Sequence, residues 1–393
     1  MKTLYPVQWL AGLASIPMSV FASKNKVRVV LTSFHGDGYR GNTRVLFEAL
    51  CKHEELEAIW LSRNPKLVKL LQQKYGKERA CLTHSLKGLN ALATAAALLF
   101  THGTSDFPFM RLPRRALFIQ TYHGLPTKRG EYMRPKSDSE PNFLHKIVLR
   151  YRFEPIDYFL SSSPFVTDLF SRRFNLPEDR FVDTGYPCYD RLATAAPEPD
   201  FIRNNWPEAP EHKSVVLYSP TYRKMKKTRW FPFNDFDPET LSRFLDEHNI
   251  LMLFRPHPND GFDRSSLSKI NSRCLYAGQE KIEDVYELLI HTNAIITDYS
   301  SIYIEGLLRD IPSVFIPYDL DSYERGQAYP YMEYTPGDKV HSQKQFVASL
   351  KQALTDPSYC AEDKVRVRNS FFSRKDGEAT ERVIRFLEEK LLQ

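Results

Sequence analysis

Cysteine is scarce in this chain and poorly spaced for chemistry. Five occur in 393 residues, at Cys51, Cys81, Cys188, Cys274 and Cys360, with no CxxC pair. An odd, scattered set argues against a disulfide framework or a thiolate zinc site and fits a reducing compartment. Charge of one sign is also lacking: the formal net charge is +6 and the pI about 8.8. That is too mild for a dedicated nucleic-acid binder, so no nucleic-acid partner is expected, and it suits an anionic small substrate or an anionic membrane surface. No run beyond the N-terminus could span a bilayer; "LNALATAAALLF" (89–100) reads as a buried helix followed by a strand. No GxGxxG follows the first strand, so a dinucleotide fingerprint is missing.

What is present is enough for two cores. The chain is 42% hydrophobic and 26% charged, without low-complexity tracts, and its length suits two ordinary domains. Strand and helix patterns alternate. "KVRVVLTS" (26–33), "LEAIWLS" (56–62), "ALLFTHG" (97–103), "RALFIQTYHG" (115–124) and "DYFLSSS" (157–163) read as strands, with helices such as "NPKLVKLLQQKYG" (64–76) between them. "ATAAPEPD" (193–200) reads as a linker. The rhythm restarts with "SVVLYSP" (214–220), "ILMLFRPHP" (250–258), "RCLYAG" (273–278), "AIITD" (294–298) and "PSVFIP" (312–317). Such alternation predicts parallel sheets covered on both faces, hence an α/β protein of two Rossmann-like domains. The expected division is an N-terminal segment 1–23, a first domain 24–194 and a second domain 195–393, whose last helix is placed to pack back on the first.

Residues 1–23 are apolar and carry Pro6 and Pro17, which are expected to break any long amphipathic helix. "SVFA" (19–22) resembles a signal-peptidase site, but the flanking charge is a single Lys2. The preferred reading is an interfacial segment, with Trp9, Leu10, Leu13, Ile16 and Phe21 at the headgroups and Lys24 and Lys26 on anionic lipid. The competing reading is an apolar cover on the first domain.

Ligands of parallel sheets gather at the carboxyl ends of the strands. The first half offers His35, His102, His123 and Ser161 to Ser163 there. The second offers Thr221, Arg223, Arg255, His257, Asp298, Ser300, Ser301 and Asp319. His35 and His102 are expected to do no more than satisfy turns. The Lys/Arg run 223–229 is equally readable as a solvated loop. His257 is held between Pro256 and Pro258, which fixes its backbone beside Arg255. In "ITDYSSIYIEGLL" (296–308), a strand runs into a helix through two serines, which serves either as a cap or as an anion site at the helix start.

The ordered motifs resemble a known family. "YHGLPTKRG" (122–130), "GYPCYDRL" (185–192), "VLYSPTYRK" (216–224), "RPHP" (255–258), "ITDYSS" (296–301) and "PSVFIPYDLDSYERGQAY" (312–329) occur in the order found in CDP-glycerol glycerophosphotransferases, the primases and polymerases of teichoic-acid type polymers. The resemblance spans roughly residues 26 to 385. It implies a GT-B-like fold, with two Rossmann-like domains facing across a cleft. It implies a CDP-alditol donor, a lipid-linked or polymer acceptor, and peripheral attachment at the cytoplasmic face of the membrane. By position, His123 becomes the general base. His257, Ser300 and Ser301 become donor-phosphate contacts, and Gly124, Thr221, Arg223, Arg255, Asp298, Tyr318 and Asp319 line the substrate. Tyr122 stands where the family has Trp, Cys188 and Tyr189 where it has Arg-Asn, and Leu125 and Thr127 also depart, so acceptor identity is the least transferable feature.

The chemistry is an acceptor hydroxyl attacking the β-phosphorus of a CDP-linked polyol, with CMP leaving. A histidine suits the proton transfer, and a helix start with serines and cations suits the phosphates. Asp319 and Asp321 would alternate along a strand and face opposite ways, so neither a metal nor another cofactor is expected. Two alternatives remain at this level: a GT-B glycosyltransferase or UDP-sugar 2-epimerase, and a non-catalytic membrane-associated scaffold.

Overall fold

The computed structural model describes the chain except residues 1–4, 108–109, 134–146, 148–149, 151–152, 224–227, 261 and 324–325; the side chains of 5–11 and 131 are likewise outside the description. Lys224, Lys226 and Lys227 of the basic run, and the side chains of Trp9 and Leu10, therefore lie outside the described residues.

Two compact units form. The first comprises Met1–Gly124, Gly130–Asp190 and Ser373–Gln393; the second comprises Leu125–Arg129 and Arg191–Phe372.

The first unit holds seven parallel strands: β1 Arg28–Leu31, β2 Glu57–Ser62, β3 Ala80–Leu82, β4 Ala97–Phe100, β5 Leu117–Gln120, β6 Tyr158–Ser161 and β7 Phe181–Asp183. Their order is β3-β2-β1-β4-β5-β6-β7. The central strands are buried along most of their length, as expected when helices cover both sides of a sheet. The helix Pro164–Phe174 shows how local signals set an element. Pro164 sits in its first turn, Ser163 Oγ accepts from Val166 N–H at 3.1 Å, and Asn175 closes it in a left-handed conformation. The last helix, Ala379–Leu391, packs on the helix Gly41–Leu50 of this unit, next to which His53 meets Glu388 at 3.0 Å. Its start is clasped by Asp190, whose carboxylate accepts from Ala379 and Thr380 N–H.

The second unit holds five parallel strands: β8 Ser214–Tyr218, β9 Ile250–Phe254, β10 Cys274–Tyr276, β11 Ala294–Thr297 and β12 Ser313–Phe315, in the order β10-β9-β8-β11-β12. Its core joins Tyr218, Phe231, Phe254, Ile296, Val314 and Phe346. In both sheets the strand order reverses once, between β1 and β4 and between β8 and β11. Loops that diverge at such a point open a crevice at the carboxyl ends of the strands.

The N-terminal segment corrects one expectation. Residues Tyr5–Phe21 form a single helix with Pro17 inside it. Pro6 lies in the first turn, where its missing N–H has no partner to lose, and Pro17 is placed one turn from the end. One face packs on the helix Leu86–Ala93 and buries Ser15, whose Oγ accepts from Arg111 N–H at 2.8 Å. Among the described residues, no helix is long and apolar enough to cross a membrane.

Candidate functional site

The first rim is built around the β1–β4 reversal. After β1 the chain enters three successive left-handed residues, Phe34 (φ 49°), His35 (φ 61°) and Gly36 (φ 81°). For the two non-glycine residues this costs about 1–3 kcal/mol each, so the surroundings must hold them there. Phe34 N–H donates to Thr101 Oγ1 at 3.0 Å and His35 N–H to Asp106 Oδ1 at 2.6 Å. Asp106, 1% exposed, accepts through Oδ2 from the N–H groups of Thr101 (2.7 Å) and His102 (3.0 Å). One buried carboxylate thus ties the loop after β1 to the loop after β4.

His123 follows β5 in a loop where Tyr122 is also left-handed (φ 55°). Its Nδ1 lies 3.1 Å from the carbonyl of Thr101. A carbonyl only accepts, so Nδ1 carries the hydrogen and, in the neutral ring, Nε2 keeps the lone pair. His102 stacks on this ring with centroids 3.9 Å apart and planes 2° apart, and Tyr122 stacks at 4.2 Å. Tyr122 is backed by Phe159, Phe170 and Phe174. Burial, and then His102, lowers the His123 pKa to about 3. The residue remains exposed to solvent, and the imidazole is neutral at physiological pH.

His35 and His102, expected to satisfy turns, also pack ring against ring, with His102 stacked on His123. Their rings lie 4.5 Å apart, which makes a row of three imidazoles with His123. Thr101, Asp106 and Asn42 were not singled out from sequence. Asn42 is buried and donates to the carbonyl of Thr121 at 2.8 Å, while its Oδ1 accepts from Cys188 N–H at 3.1 Å. It links the histidine loop to the "GYPCYD" turn. An asparagine at a helix start reads as a cap, so its sequence position carries no sign of this role.

The second rim surrounds the β8–β11 reversal. Asp298, 2% exposed, accepts through Oδ1 from Thr221 N–H at 2.8 Å and from Tyr299 N–H at 2.5 Å. Its Oδ2 lies 2.8 Å from Arg223 Nη2, an ion pair that lacks hydrogen-bond alignment. Arg223 is clamped by Asp319 through Nε (3.0 Å) and Nη2 (2.9 Å), and Tyr299 Oη donates to the same carboxylate at 2.9 Å. Burial alone would lower the Arg223 pKa, but the carboxylates of Asp319 and Asp298 outweigh it and raise it. The hydroxyl of Thr221 is buried without a hydrogen-bond partner. A cavity of about 380 Å³ opens beside this network, lined by Tyr318, Asp319, Leu320, Met332, Lys339 and His341.

Of the residues expected to meet the donor, both arginines are occupied otherwise. Arg223 faces carboxylates and Arg255 faces carbonyls, donating to Ala277 and Ile282, both at 2.9 Å, and to Glu283 at 3.3 Å. Burial lowers the Arg255 pKa to about 10. His257 stands exposed beyond β9 with Tyr222 stacked at 4.9 Å. Its Nδ1 accepts from Asn259 N–H at 3.2 Å, so in the neutral ring the hydrogen sits on Nε2. This is the reverse of His123. Ser301 precedes the helix Ile302–Gly306 without capping it; its Oγ points instead to Glu305 at 3.4 Å. Ser300 Oγ accepts weakly from Ile302 N–H at 3.4 Å. Gly124 has a φ of 155°, which admits glycine and few other residues. Asp319 and Asp321 do not alternate along a strand: β12 ends at Phe315, and Leu320–Ser322 form a 3-10 turn. Among the described residues, no three His, Cys, Asp or Glu side chains are arranged to hold a metal ion.

A family model described as CDP-glycerol:poly(glycerophosphate) glycerophosphotransferase matches residues 14–389. A teichoic acid glycerol-phosphate transferase of Staphylococcus aureus is 27% identical over 378 residues, covering 91% of this chain and 92% of the relative. A teichoic acid ribitol-phosphate primase of Bacillus spizizenii is 25% identical over 400 residues, covering 97% and 96%. The solved structure of the wall teichoic acid polymerase TagF soaked with CDPG superposes with a TM-score of 0.79 at 23% identity, over 98% of this chain and 93% of that one. At that identity the likeness establishes the fold.

Proposed function

Because this chain belongs to the CDP-glycerol:poly(glycerophosphate) glycerophosphotransferase family, we propose that it moves an alditol phosphate from a CDP-alditol to an acceptor hydroxyl in wall-polymer synthesis, releasing CMP. The acceptor oxygen forms a bond to the β-phosphorus. The bond from that phosphorus to the oxygen of CMP breaks, and CMP leaves with the electron pair. The acceptor's proton passes to Nε2 of His123 and from there to solvent. The observation that carries this reading is the hydrogen bond from His123 Nδ1 to the Thr101 carbonyl, which commits one nitrogen and leaves the lone pair on the other.

On the donor side, His257, with its hydrogen on Nε2 in the neutral ring, and Ser301, whose Oγ makes no cap hydrogen bond, are the groups suited to phosphate oxygens. Ser300 and Thr221 complete the polar lining of this rim in this reading. Arg223, Asp298 and Asp319 shape the donor loop through their ion pairs, Arg255 holds the loop after β9, and Tyr318 forms a wall beside Asp319.

The acceptor in this proposal is lipid-linked, and the enzyme attaches to the cytoplasmic face of the membrane, where activated nucleotides are made. Support comes from the N-terminal helix. Leu13, Ile16, Val20 and Phe21 are 61%, 49%, 58% and 84% exposed and fall on one stripe, opposite the face that buries Ser15.

The test supplies purified enzyme with CDP-glycerol, CDP-ribitol or a UDP-sugar and a lipid-linked acceptor, and reads products by mass spectrometry. CMP release with a gain of one or more alditol phosphates is expected. Turnover of the UDP-sugar in place of either CDP-alditol would overturn the reading.

A further inference from the structure

Thr101 serves two imidazoles at once. Its carbonyl accepts from His123 Nδ1–H, and its hydroxyl oxygen lies 2.8 Å from His102 Nδ1. The hydroxyl has a single hydrogen, and Asp106 Oδ2, 3.0 Å away, takes it because a carboxylate only accepts. The hydroxyl oxygen must therefore accept from His102 Nδ1–H. Both rings thus have Nδ1 committed, through two different oxygens of one residue, and they lie parallel at 3.9 Å. Two imidazolium cations at that separation repel strongly, so the stack takes up one proton at a time.

We propose that His102, fixed by Thr101 and Asp106, is a positioning residue for His123: it holds the plane of the base, whose tautomer the Thr101 carbonyl sets, and limits the stacked pair to a single proton. The inference rests on the reading of His123 as proton acceptor. The alternative is a histidine that merely fills the turn after β4. Against it stands the alignment, since packing alone does not require planes within 2° and a hydrogen-bond chain ending in a buried carboxylate. The other groups acting on the stack are the carboxylate of Asp106, 3.8 Å from His102 Nδ1 and opposing the downward shift, His35 at 4.5 Å from His102, Phe34 against both rings, Tyr122 against His123, and the charge of Arg173. The downward shift at His123, to which His102 contributes after burial, runs in the same sense.

The experiment uses the full chain with CDP-alditol and acceptor, and compares His102→Ala, His102→Phe, His102→Gln and His123→Ala. His102→Ala is expected to lower kcat on the order of ten- to a hundredfold through misplacement of the base, with the donor KM little changed. Its acid limb in kcat/KM should move up towards the ordinary histidine value. Nitrogen-15 NMR should find His123 as the Nδ1–H tautomer in the parent, and titrating at higher pH in His102→Ala. His102→Phe keeps the stacked ring and should retain more turnover than His102→Gln; these two carry the test if His102→Ala does not fold. Unchanged kcat and pH profile in the His102 variants, with His123→Ala inactive, would overturn this inference alone. An active His123→Ala would overturn the base reading and this inference with it.

Discussion

Arg223 sets Nε and Nη2 on the carboxylate of Asp319, at 3.0 and 2.9 Å, across 96 residues of sequence. The arginine side chain is 4% exposed, so the pair is desolvated, and Asp298 closes on it from the other side. A buried pair of this kind gives little net stability when intact but strands a charge when one partner is removed. Arg223→Ala is therefore expected to destabilise the second unit by about 3–5 kcal/mol. Arg223→Lys should recover little, because an ammonium cannot reproduce the two-point contact. Chemical denaturation of the two variants measures both; a wild-type midpoint in either would contradict the arrangement.

Ser301 separates a capping role from a ligand role. A lost cap costs about 1 kcal/mol of stability, but Ser301 makes no cap hydrogen bond. Ser301→Ala should leave the melting temperature near that of the parent. With His257→Ala, it should weaken donor use by roughly 1.5–3 kcal/mol, the range for a charge-assisted contact. Steady-state kinetics in CDP-alditol beside a thermal melt distinguish the cases; a lower melting temperature with normal kinetics would return Ser301 to a structural role.

His123 carries a pH signature. Its pKa in the folded chain is about 3, whereas an unfolded histidine titrates near 6.5. Between those values the unfolded chain binds more protons. The residue's contribution to stability is therefore complete above pH 6.5 and is lost as the pH falls towards 3, by a small amount because the ring is open to water. In catalysis, kcat/KM should show no acid limb near pH 6.5. The limb in kcat should lie higher than that in kcat/KM, because a bound diphosphate favours the imidazolium. His123→Ala should lower turnover on the order of a hundredfold or more. A pH titration of the parent and the variant reads all three.

The N-terminal helix has two faces with separate expected effects. Replacing Leu13, Ile16 and Phe21 together by Ser should reduce sedimentation with anionic vesicles and leave turnover of a water-soluble acceptor and the melting temperature near normal, since these side chains are exposed. Ser15→Leu, on the packed face where Ser15 accepts from Arg111 N–H, should lower the melting temperature. Equal loss of stability in both variants would mean the outer face is covered in solution.

The alternation of strands and helices was legible because strands covered on both faces need unbroken apolar runs, as in "VRVV" and "ILMLF", and because prolines, serines and asparagines mark the helix starts. Two strands escaped this reading. Ala80–Leu82 and Phe181–Asp183 are three-residue edge strands, too short to leave a run. Proline content misdirected the reading of the first helix, because position within a helix, not presence, decides what a proline costs. The residue types at the strand ends were likewise readable, and they placed His123, His257, Asp298 and the serines at two rims. Partner choice was not. The basic character of Arg223 and Arg255 suggested phosphate, but the fold turns the first to Asp319 and the second to backbone carbonyls. His102 gained its place because β4 and β5 pair in register, Phe100 level with Gln120, so the residues that follow each strand emerge side by side. A sequence lists the donors and acceptors of a hydrogen bond; which of them meet is set by strand order and register, since only these bring residues some twenty to a hundred positions apart within 3 Å.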